Sequence, residues 1–183
     1  MTQLTLQTAT FASGCFWCTE AIFKRLKGVT AVTPGYANGQ SDHASYESVH
    51  AGSGHAEALQ LSFDPSVISY EQLVEVFFGT HDPTTLNRQG NDVGEEYRSA
   101  ILFHTAEQQV TAEQVKTRLE KAGMFSCPIV TSIEPLRNFS PAEDEHRDYY
   151  ANNSDQPYCQ IVISPKVAKL REKYAALLNE DKL

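Results

Sequence analysis

The sequence predicts one domain of the α/β or α+β class, spanning residues 1–183. Three observations support this prediction. A chain of 183 residues is long enough for a single sizeable core. Its 41% hydrophobic and 21% charged residues are an ordinary globular balance. Predicted strands and helices alternate along the chain, without a linker, a repeat or a low-complexity tract.

The first half of the chain is predicted to contain three strands and two helices. Residues 4–13 form the first strand, and Gly14 ends it. A helix follows to Gly28, because Cys18, Ile22 and Leu26 recur at four-residue steps on one face. The remaining elements of this half are strands at 29–39 and 55–64 and a helix at 69–81.

The second half begins with a long stretch without periodicity, residues 81–96, which is rich in turn-forming residues. Unstructured loops of this length inside compact domains are usually functional. Beyond it, the patterns predict strands at 97–105, 128–136 and 159–163, and helices at 106–123, 141–153 and 165–178. Pro141 suits the first turn of its predicted helix.

The charge and hydropathy of the chain exclude several classes of function. The net charge of −8 leaves no basic surplus for nucleic acid. No apolar run approaches the roughly 20 residues of a membrane span. The first residues lack the basic and apolar regions of a signal peptide. We therefore expect a cytoplasmic protein, in which closely spaced cysteines are catalytic or bind metal.

Two of the four cysteines, Cys15 and Cys18, lie in the segment GCFWCTE at residues 14–20. Cys15 is predicted at a strand-to-helix junction, where free backbone N–H groups and the helix dipole favour a thiolate. Cys18 lies one helical turn from Cys15. Two residues at this spacing are about 5 Å apart, which is close enough for a disulfide bond. A thioredoxin-like disulfide oxidoreductase and a zinc-binding module remain alternatives, although no second C-x-x-C supports zinc.

Strand alternation places Glu57 on the same face as three apolar residues, Leu59, Leu61 and Phe63. If Glu57 is buried, its pKa rises and it becomes a proton donor near neutral pH. If it lies at an exposed strand end, it simply points to water. The pattern alone leaves both alternatives open.

Other polar and aromatic residues near predicted turns are weaker candidates. Buried tyrosine hydroxyls can hydrogen-bond a substrate oxygen, which makes Tyr46 and Tyr97 of interest, together with Asp92. Taken singly, each is better explained as a packed or a surface residue. His146 and the pair Tyr149–Tyr150 are interpreted as helix-face packing.

Taken together, the motifs resemble one known family, the A-type peptide methionine sulfoxide reductases. The resemblance runs in the family's order from about Phe11 to Tyr158. It is carried by four segments: GCFWCTE at 14–20, GHAEA at 54–58, HDPTTLNRQGNDVGEEYRS at 81–99 and PAEDEHRDYY at 141–150.

The resemblance implies a two-layer sandwich in which helices pack against a mixed β-sheet. It also implies reduction of the S-epimer of methionine sulfoxide, free or in proteins. The implied roles are nucleophile for Cys15, acid for Glu57, an apolar pocket for the substrate methyl group from Phe16 and Trp17, and a polar wall from Tyr46, Asp92 and Tyr97.

The family's chemistry implies that Cys15 becomes a sulfenic acid and that a second thiol then closes a disulfide, which thioredoxin reduces. It calls for no metal or organic cofactor. The family usually has glycine where this chain has Cys18, and often places its resolving cysteine near Cys159. Spacing favours Cys18 and family position favours Cys159, which we expect to react first. Cys127 is expected to be structural.

Overall fold

The computed structural model of the protein describes residues 5–179. Leu4, the first residue of the first predicted strand, lies outside this range. So do both ends of the predicted domain 1–183.

A mixed sheet of six strands forms the centre of the fold. Its order is β7-β6-β1-β3-β2-β8, and only β6 and β7 are parallel. The strands are β1 (Gln7–Ser13), β2 (Val29–Ala37), β3 (Ala56–Phe63), β6 (Ser99–Phe103), β7 (Ser132–Pro135) and β8 (Phe139–Pro141). A separate hairpin pairs β4 (Arg88–Gln89) with β5 (Asp92–Val93).

Six α-helices accompany the sheet in the described part of the chain. They are α1 (Phe16–Phe23), α2 (Tyr46–His50), α3 (Tyr70–Thr80), α4 (Ala106–Lys121), α5 (Tyr149–Asn152) and α6 (Ser164–Lys173). The sequence patterns did not predict α2, which begins with a capping box from Ser45 and Ser48. Across residues 5–179, no helix has both the length and the apolar character that crossing a bilayer requires.

Helices α1, α3, α4 and α6 share the main core with one face of the sheet. Phe11 of β1 lies at its centre, with its ring stacked 5.1 Å from that of Phe23 in α1 and 5.3 Å from that of Phe77 in α3. On the opposite face of the sheet, small residues such as Ala12 and Ala58 are buried in a second hydrophobic cluster. The predicted two-layer sandwich of helices on a mixed sheet is therefore confirmed.

The predicted helix at 141–153 is wrong. Pro141 belongs to β8, a 3₁₀ turn covers Asp144–His146, and Asp148 adopts a left-handed conformation with φ +54° before the short α5. Tertiary contacts explain the difference, because Asp148 forms an ion pair with Lys24 of α1. These contacts hold the segment against α1 in a path that no continuous helix follows.

The predicted strand at 159–163 is also wrong, because Cys159–Ile163 form a π-helical turn that leads into α6. Cys159 and Ile163 are buried, whereas Gln160 and Ile161 are exposed. Burial at a four-residue spacing is a helical pattern. The β-branched residues of the segment suggested a strand, but packing against α1 decided its conformation.

Residues 81–96, predicted to be structureless, are ordered by the β4–β5 hairpin and a 3₁₀ turn at Glu95–Tyr97. The side-chain amide of Gln89 is buried and exchanges two hydrogen bonds with the backbone of Asp82. Gln89 also packs on Gly14, where a Cβ would lie 2.6 Å from the Gln89 side chain. The loop is thereby fixed beside the start of α1.

Candidate active site

The turn before α1 places the Cys15 side chain at the floor of an open pocket. Gly14 has φ +87°, a conformation that glycine adopts without strain, and Cys15 is the N-cap of α1. The Cys15 side chain is largely buried, but it reaches a pocket with about 350 Å³ of empty space. A thiol at a helix N-terminus that opens to a pocket is positioned for attack on a small ligand.

Glu57 lies beside Cys15 and is 3% exposed, which decides between the two alternatives left by the sequence. Its Oε2 accepts a hydrogen bond of 2.9 Å from the backbone N–H of Phe16. Burial raises the pKa of Glu57 to about 8, against the opposing effect of this hydrogen bond. At neutral pH, the carboxyl group is therefore mostly protonated and can donate a proton into the pocket.

Four polar side chains form the wall of the pocket opposite α1. The Tyr158 hydroxyl donates a hydrogen bond of 2.7 Å to Asp92 Oδ2, and the Tyr97 hydroxyl lies 3.2 Å from Nε2 of His50. Burial raises the pKa of Tyr46, Tyr97 and Tyr158. These hydroxyls stay protonated at neutral pH and can donate hydrogen bonds to an oxygen atom.

Aromatic residues form the apolar side of the pocket. The Trp17 indole stacks on Tyr149 with ring centroids 3.6 Å apart and an interplanar angle of 5°. Its Nε1–H donates a hydrogen bond of 3.2 Å to Nδ1 of His146. The His146 ring in turn lies 5.2 Å from the ring of Phe16. Residues 146–149 thus hold the two pocket aromatics of α1 in place.

The cysteines form a group of three, with the fourth exposed elsewhere. Burial raises the pKa of Cys15 well above its ordinary value. A hydrogen bond from Cys15, aided by the Lys166 ammonium, lowers the pKa of Cys18 to about 7. The sequence favoured a thiolate on Cys15, but burial outweighs the helix dipole there. Cys18 therefore gives up its proton at a lower pH than Cys15.

The structure brings together all seven residues that the sequence proposed as catalytic or substrate-binding. The pocket is lined by Cys15, Phe16, Trp17, Tyr46, Glu57, Asp92 and Tyr97. Cys18 and Cys159 lie behind it in the core, and Cys127 is exposed in a loop. No group of three or more potential ligand residues within 5–179 is arranged to hold a metal ion.

Two residues of the site were missed by the sequence analysis. Tyr158 lines the pocket but carries no pattern in the sequence beyond its place next to Cys159. His146 was interpreted as helix-face packing, yet it contacts Phe16 and Trp17. The signal that could have found His146 is its place in the PAEDEHRDYY segment that carries the family resemblance.

Comparison with known proteins agrees with this geometry. The family model described as "Peptide methionine sulfoxide reductase" matches residues 7–178. The chain belongs to the peptide methionine sulfoxide reductase family. It is 54% identical over 174 residues to peptide methionine sulfoxide reductase MsrA of Deinococcus radiodurans, covering 94% of this chain and 84% of the relative. It is 49% identical over 175 residues to MsrA of Chromobacterium violaceum, covering 95% and 99%.

Two solved structures of one protein, Mxr1, share the fold. The reduced form of Mxr1 from Saccharomyces cerevisiae superimposes with a TM-score of 0.77 at 35% identity, covering 84% of this chain and 89% of Mxr1. Mxr1 in complex with Trx2 matches with a TM-score of 0.55 at 29% identity, covering 79% and 84%. The lower TM-score belongs to the form of Mxr1 that was solved with a partner.

Proposed function

We propose that this protein, as a single domain, reduces the S-epimer of methionine sulfoxide to methionine, free or in proteins, with Cys15 as nucleophile and Glu57 as acid. The observation that carries the proposal is the buried Glu57 carboxyl, whose pKa burial raises to about 8, beside Cys15 in one pocket. A sulfoxide is a poor electrophile at sulfur unless its oxygen receives a proton during attack. A thiolate and a neutral acid side by side provide both requirements.

The pocket has an apolar, aromatic side and a polar side, and together these two sides orient the substrate. The aromatic side, Phe16 and Trp17, accepts the methyl group on the sulfoxide sulfur. The hydroxyls of Tyr46 and Tyr97 donate hydrogen bonds to the oxygen as negative charge builds there. Asp92 accepts the hydrogen bond of Tyr158 and fixes that hydroxyl. With the methyl group and the oxygen each assigned to one side, only one epimer presents its sulfur to Cys15.

Cys15 passes its proton to the Cys18 sulfur and attacks the sulfoxide sulfur as a thiolate. Glu57 gives its proton to the oxygen. The oxygen is transferred to Cys15, so methionine leaves, Cys15 becomes a sulfenic acid and Glu57 a carboxylate. The substrate sulfur gains two electrons in this step, and the Cys15 sulfur loses two electrons.

We propose that Cys18 resolves the sulfenic acid first and that Cys159 acts later, by thiol–disulfide exchange. Cys18 lies one helical turn from Cys15 and is buried in the same core cluster, which supports this order. Cys159 is completely buried at the start of the π-helical turn, and burial, together with the neighbouring Cys18, raises the pKa of its thiol. Disulfide mapping tests this order against the family position of Cys159.

The final disulfide is reduced by a dithiol, which we propose to be thioredoxin in the cytoplasm. The complex of the relative Mxr1 with Trx2 supports this partner. Exchange proceeds through attack of a thiolate on one sulfur of the disulfide, with a mixed disulfide as intermediate. It returns both cysteines to their reduced state.

The experiment that tests the function uses the two separated epimers of a methionine sulfoxide substrate, with dithiothreitol as reductant. Methionine formation from the S-epimer alone is the expected result. Equal turnover of both epimers, or of neither, would contradict the proposed orientation or the activity itself. The Cys15→Ser protein serves as the background control.

A further inference from the structure

The Glu143 carboxylate joins two tyrosines that belong to different elements of the fold. Its Oε1 accepts a hydrogen bond of 2.9 Å from the backbone N–H of Tyr46, the first residue of α2. Its Oε2 accepts a hydrogen bond of 2.8 Å from the hydroxyl of Tyr36 in β2. These partners lie 97 and 107 residues from Glu143 along the chain. One side chain therefore fixes α2 and β2 to the segment that follows β8.

Glu143 reaches the pocket only through its partners. Of the residues that the structure describes, eight line the pocket, and Glu143 is not among them. Tyr46 is one of the eight and is 42% exposed, so packing restrains its ring only in part. Helix α2 has five residues, and a helix this short is marginal on its own. The place of the Tyr46 hydroxyl in the pocket therefore depends on what anchors α2.

Tyr36 connects the same carboxylate to the acid and to the aromatic side of the pocket. Tyr36 is completely buried, and it pairs with Glu57 across β2 and β3. The side chains of directly paired residues project from the same face of a sheet. The rings of Tyr36 and Phe16 have centroids 5.6 Å apart. A buried tyrosine hydroxyl needs a hydrogen-bond partner, and Glu143 provides it.

His146 provides a third link, from Glu143 to Trp17. The Trp17 indole donates its hydrogen bond to Nδ1 of His146, so the neutral ring carries its proton on Nε2. This Nε2 is buried without a hydrogen-bond partner among residues 5–179, and Oε2 of Glu143 lies 3.8 Å from it. The negative charge of the carboxylate stabilises the proton on Nε2, and with it the tautomer that accepts from Trp17.

We propose that Glu143 is a positioning residue that holds Tyr46 in place for its hydrogen bond to the sulfoxide oxygen. The proposal rests on the proposed function, which assigns this hydrogen bond to Tyr46. Glu143 acts through Tyr46 and does not line the pocket itself. It also keeps Tyr46 aligned with the acid, because its other oxygen holds Tyr36 next to Glu57.

The two hydrogen bonds depend on the length of the Glu143 side chain more than on its charge. Aspartate is one methylene shorter, so it cannot reach Tyr36 and Tyr46 at the same time. Glutamine has the same length as glutamate. Its oxygen can accept from the Tyr46 N–H while its NH₂ group donates to the Tyr36 hydroxyl. The two substitutions therefore separate the effect of position from that of charge.

The test measures single-turnover formation of methionine from the S-epimer by wild type, Glu143→Asp, Glu143→Gln and Glu145→Asp. Glu145 is exposed and two residues away, so shortening it is the matched control. In Glu143→Asp, we expect the rate at saturating substrate to fall by about tenfold, because Tyr46 is displaced. The half-saturating concentration should change by less than about twofold, since the lost interaction is made mainly in the transition state. Glu143→Gln and Glu145→Asp should react at close to the wild-type rate.

A double-mutant cycle shows whether the effect of Glu143 passes through Tyr46. In a Tyr46→Phe background, the hydroxyl that Glu143 positions is absent. Glu143→Asp should then lower the rate by no more than about twofold further. A substitution that only loosened the fold would lower the rate equally in both backgrounds. Far-UV circular dichroism shows that each variant is folded.

A wild-type rate in folded Glu143→Asp, or an equal loss with and without the Tyr46 hydroxyl, would overturn the role of Glu143. A slow Glu143→Gln together with a normal Glu143→Asp would overturn it as well, because charge rather than position would then matter. If wild type forms no methionine from the S-epimer, the proposed function itself fails. Failure of the function and failure of the role of Glu143 are therefore distinguishable.

Discussion

Oε2 of Glu57 lies 2.9 Å from the backbone nitrogen of Phe16, the residue next to Cys15. This one hydrogen bond ties the buried carboxyl of β3 to the N-terminus of α1. The acid and the nucleophile therefore keep a fixed separation, although 41 residues separate Glu57 from Phe16 along the chain. Fixed placement of reacting groups is a major source of rate enhancement.

Replacing the nucleophile should abolish the reaction. In Cys15→Ser, a hydroxyl provides almost no anion near neutral pH, so we expect no methionine above background from the S-epimer. The measurement is single-turnover methionine formation, with far-UV circular dichroism to show that the protein is folded. Clear turnover by a folded Cys15→Ser protein would place the nucleophile elsewhere.

Replacing the acid should slow the reductase step. Glu57→Gln retains the shape of the side chain and an oxygen to accept the Phe16 N–H, but it cannot deliver a proton. We expect methionine formation to fall by about 10²–10⁴-fold, the range typical of general acid catalysis. A loss of less than about threefold would move the role to another carboxyl, with Asp92 the next candidate.

The raised pKa of Glu57 also predicts how stability depends on pH. The folded protein holds this proton up to about pH 8, whereas the unfolded chain releases it near pH 4.5. The stability that protonated Glu57 contributes is thus fully present below the pKa of Glu57 in the unfolded chain, and it is lost as the pH rises through 8. Wild type should lose stability relative to Glu57→Gln over this window in urea unfolding. A pH-independent difference between the two proteins would mean that Glu57 ionises normally.

Trp17 is the chain's only tryptophan, so its environment can be followed directly. His146→Leu removes the acceptor of the Trp17 indole N–H, whereas His146→Asn can keep an acceptor at the same position. We expect His146→Leu to shift the Trp17 fluorescence and to lower kcat/KM by about fivefold, mainly through KM, in line with one lost hydrogen bond. His146→Asn should lie closer to wild type. Identical behaviour of the two variants would mean that the hydrogen bond does not orient Trp17.

The order of disulfide formation can be resolved with single cysteine variants. With Cys18 as the first partner, Cys18→Ser should form methionine once, at a reduced rate because Cys18 no longer accepts the Cys15 proton, and leave the sulfenic acid on Cys15 unresolved. Cys159→Ser should still form the Cys15–Cys18 bridge. Peptide mapping by mass spectrometry after thiol blocking measures both. A Cys159→Ser protein that accumulates sulfenic acid would reverse the order.

Much of the fold followed from local patterns, because most elements have one apolar face of regular period. The alternation of Glu57 with Leu59 and Leu61 placed it on the apolar face of its strand, but whether it was buried there was decided only by the structure. The sequence could not predict the order of the two thiol pKa values: burial raises the pKa of Cys15, whereas the hydrogen bond from Cys15 lowers the pKa of Cys18 to about 7. Both effects depend on how tightly the core packs around α1, which local patterns do not show.

The failures cluster in the segment after β8, and they share a physical cause. Residues 141–163 contain charged and β-branched stretches whose local preferences suggested a helix and a strand. Their actual conformation is set by contacts with α1, including the stacking of Tyr149 on Trp17. Such contacts between distant segments override local propensity. The same contacts placed Tyr158 in the pocket.

The central claim is that Glu57 is protonated at neutral pH and supplies the proton that makes the sulfoxide reactive. Difference infrared spectroscopy of wild type against Glu57→Gln tests it directly, because a protonated carboxyl has a C=O stretching band that a carboxylate lacks. The account predicts that this band is present in wild type at pH 7, is lost as the pH rises through about 8 and is absent from Glu57→Gln. A wild-type spectrum at pH 7 with no protonated carboxyl attributable to Glu57 would contradict it.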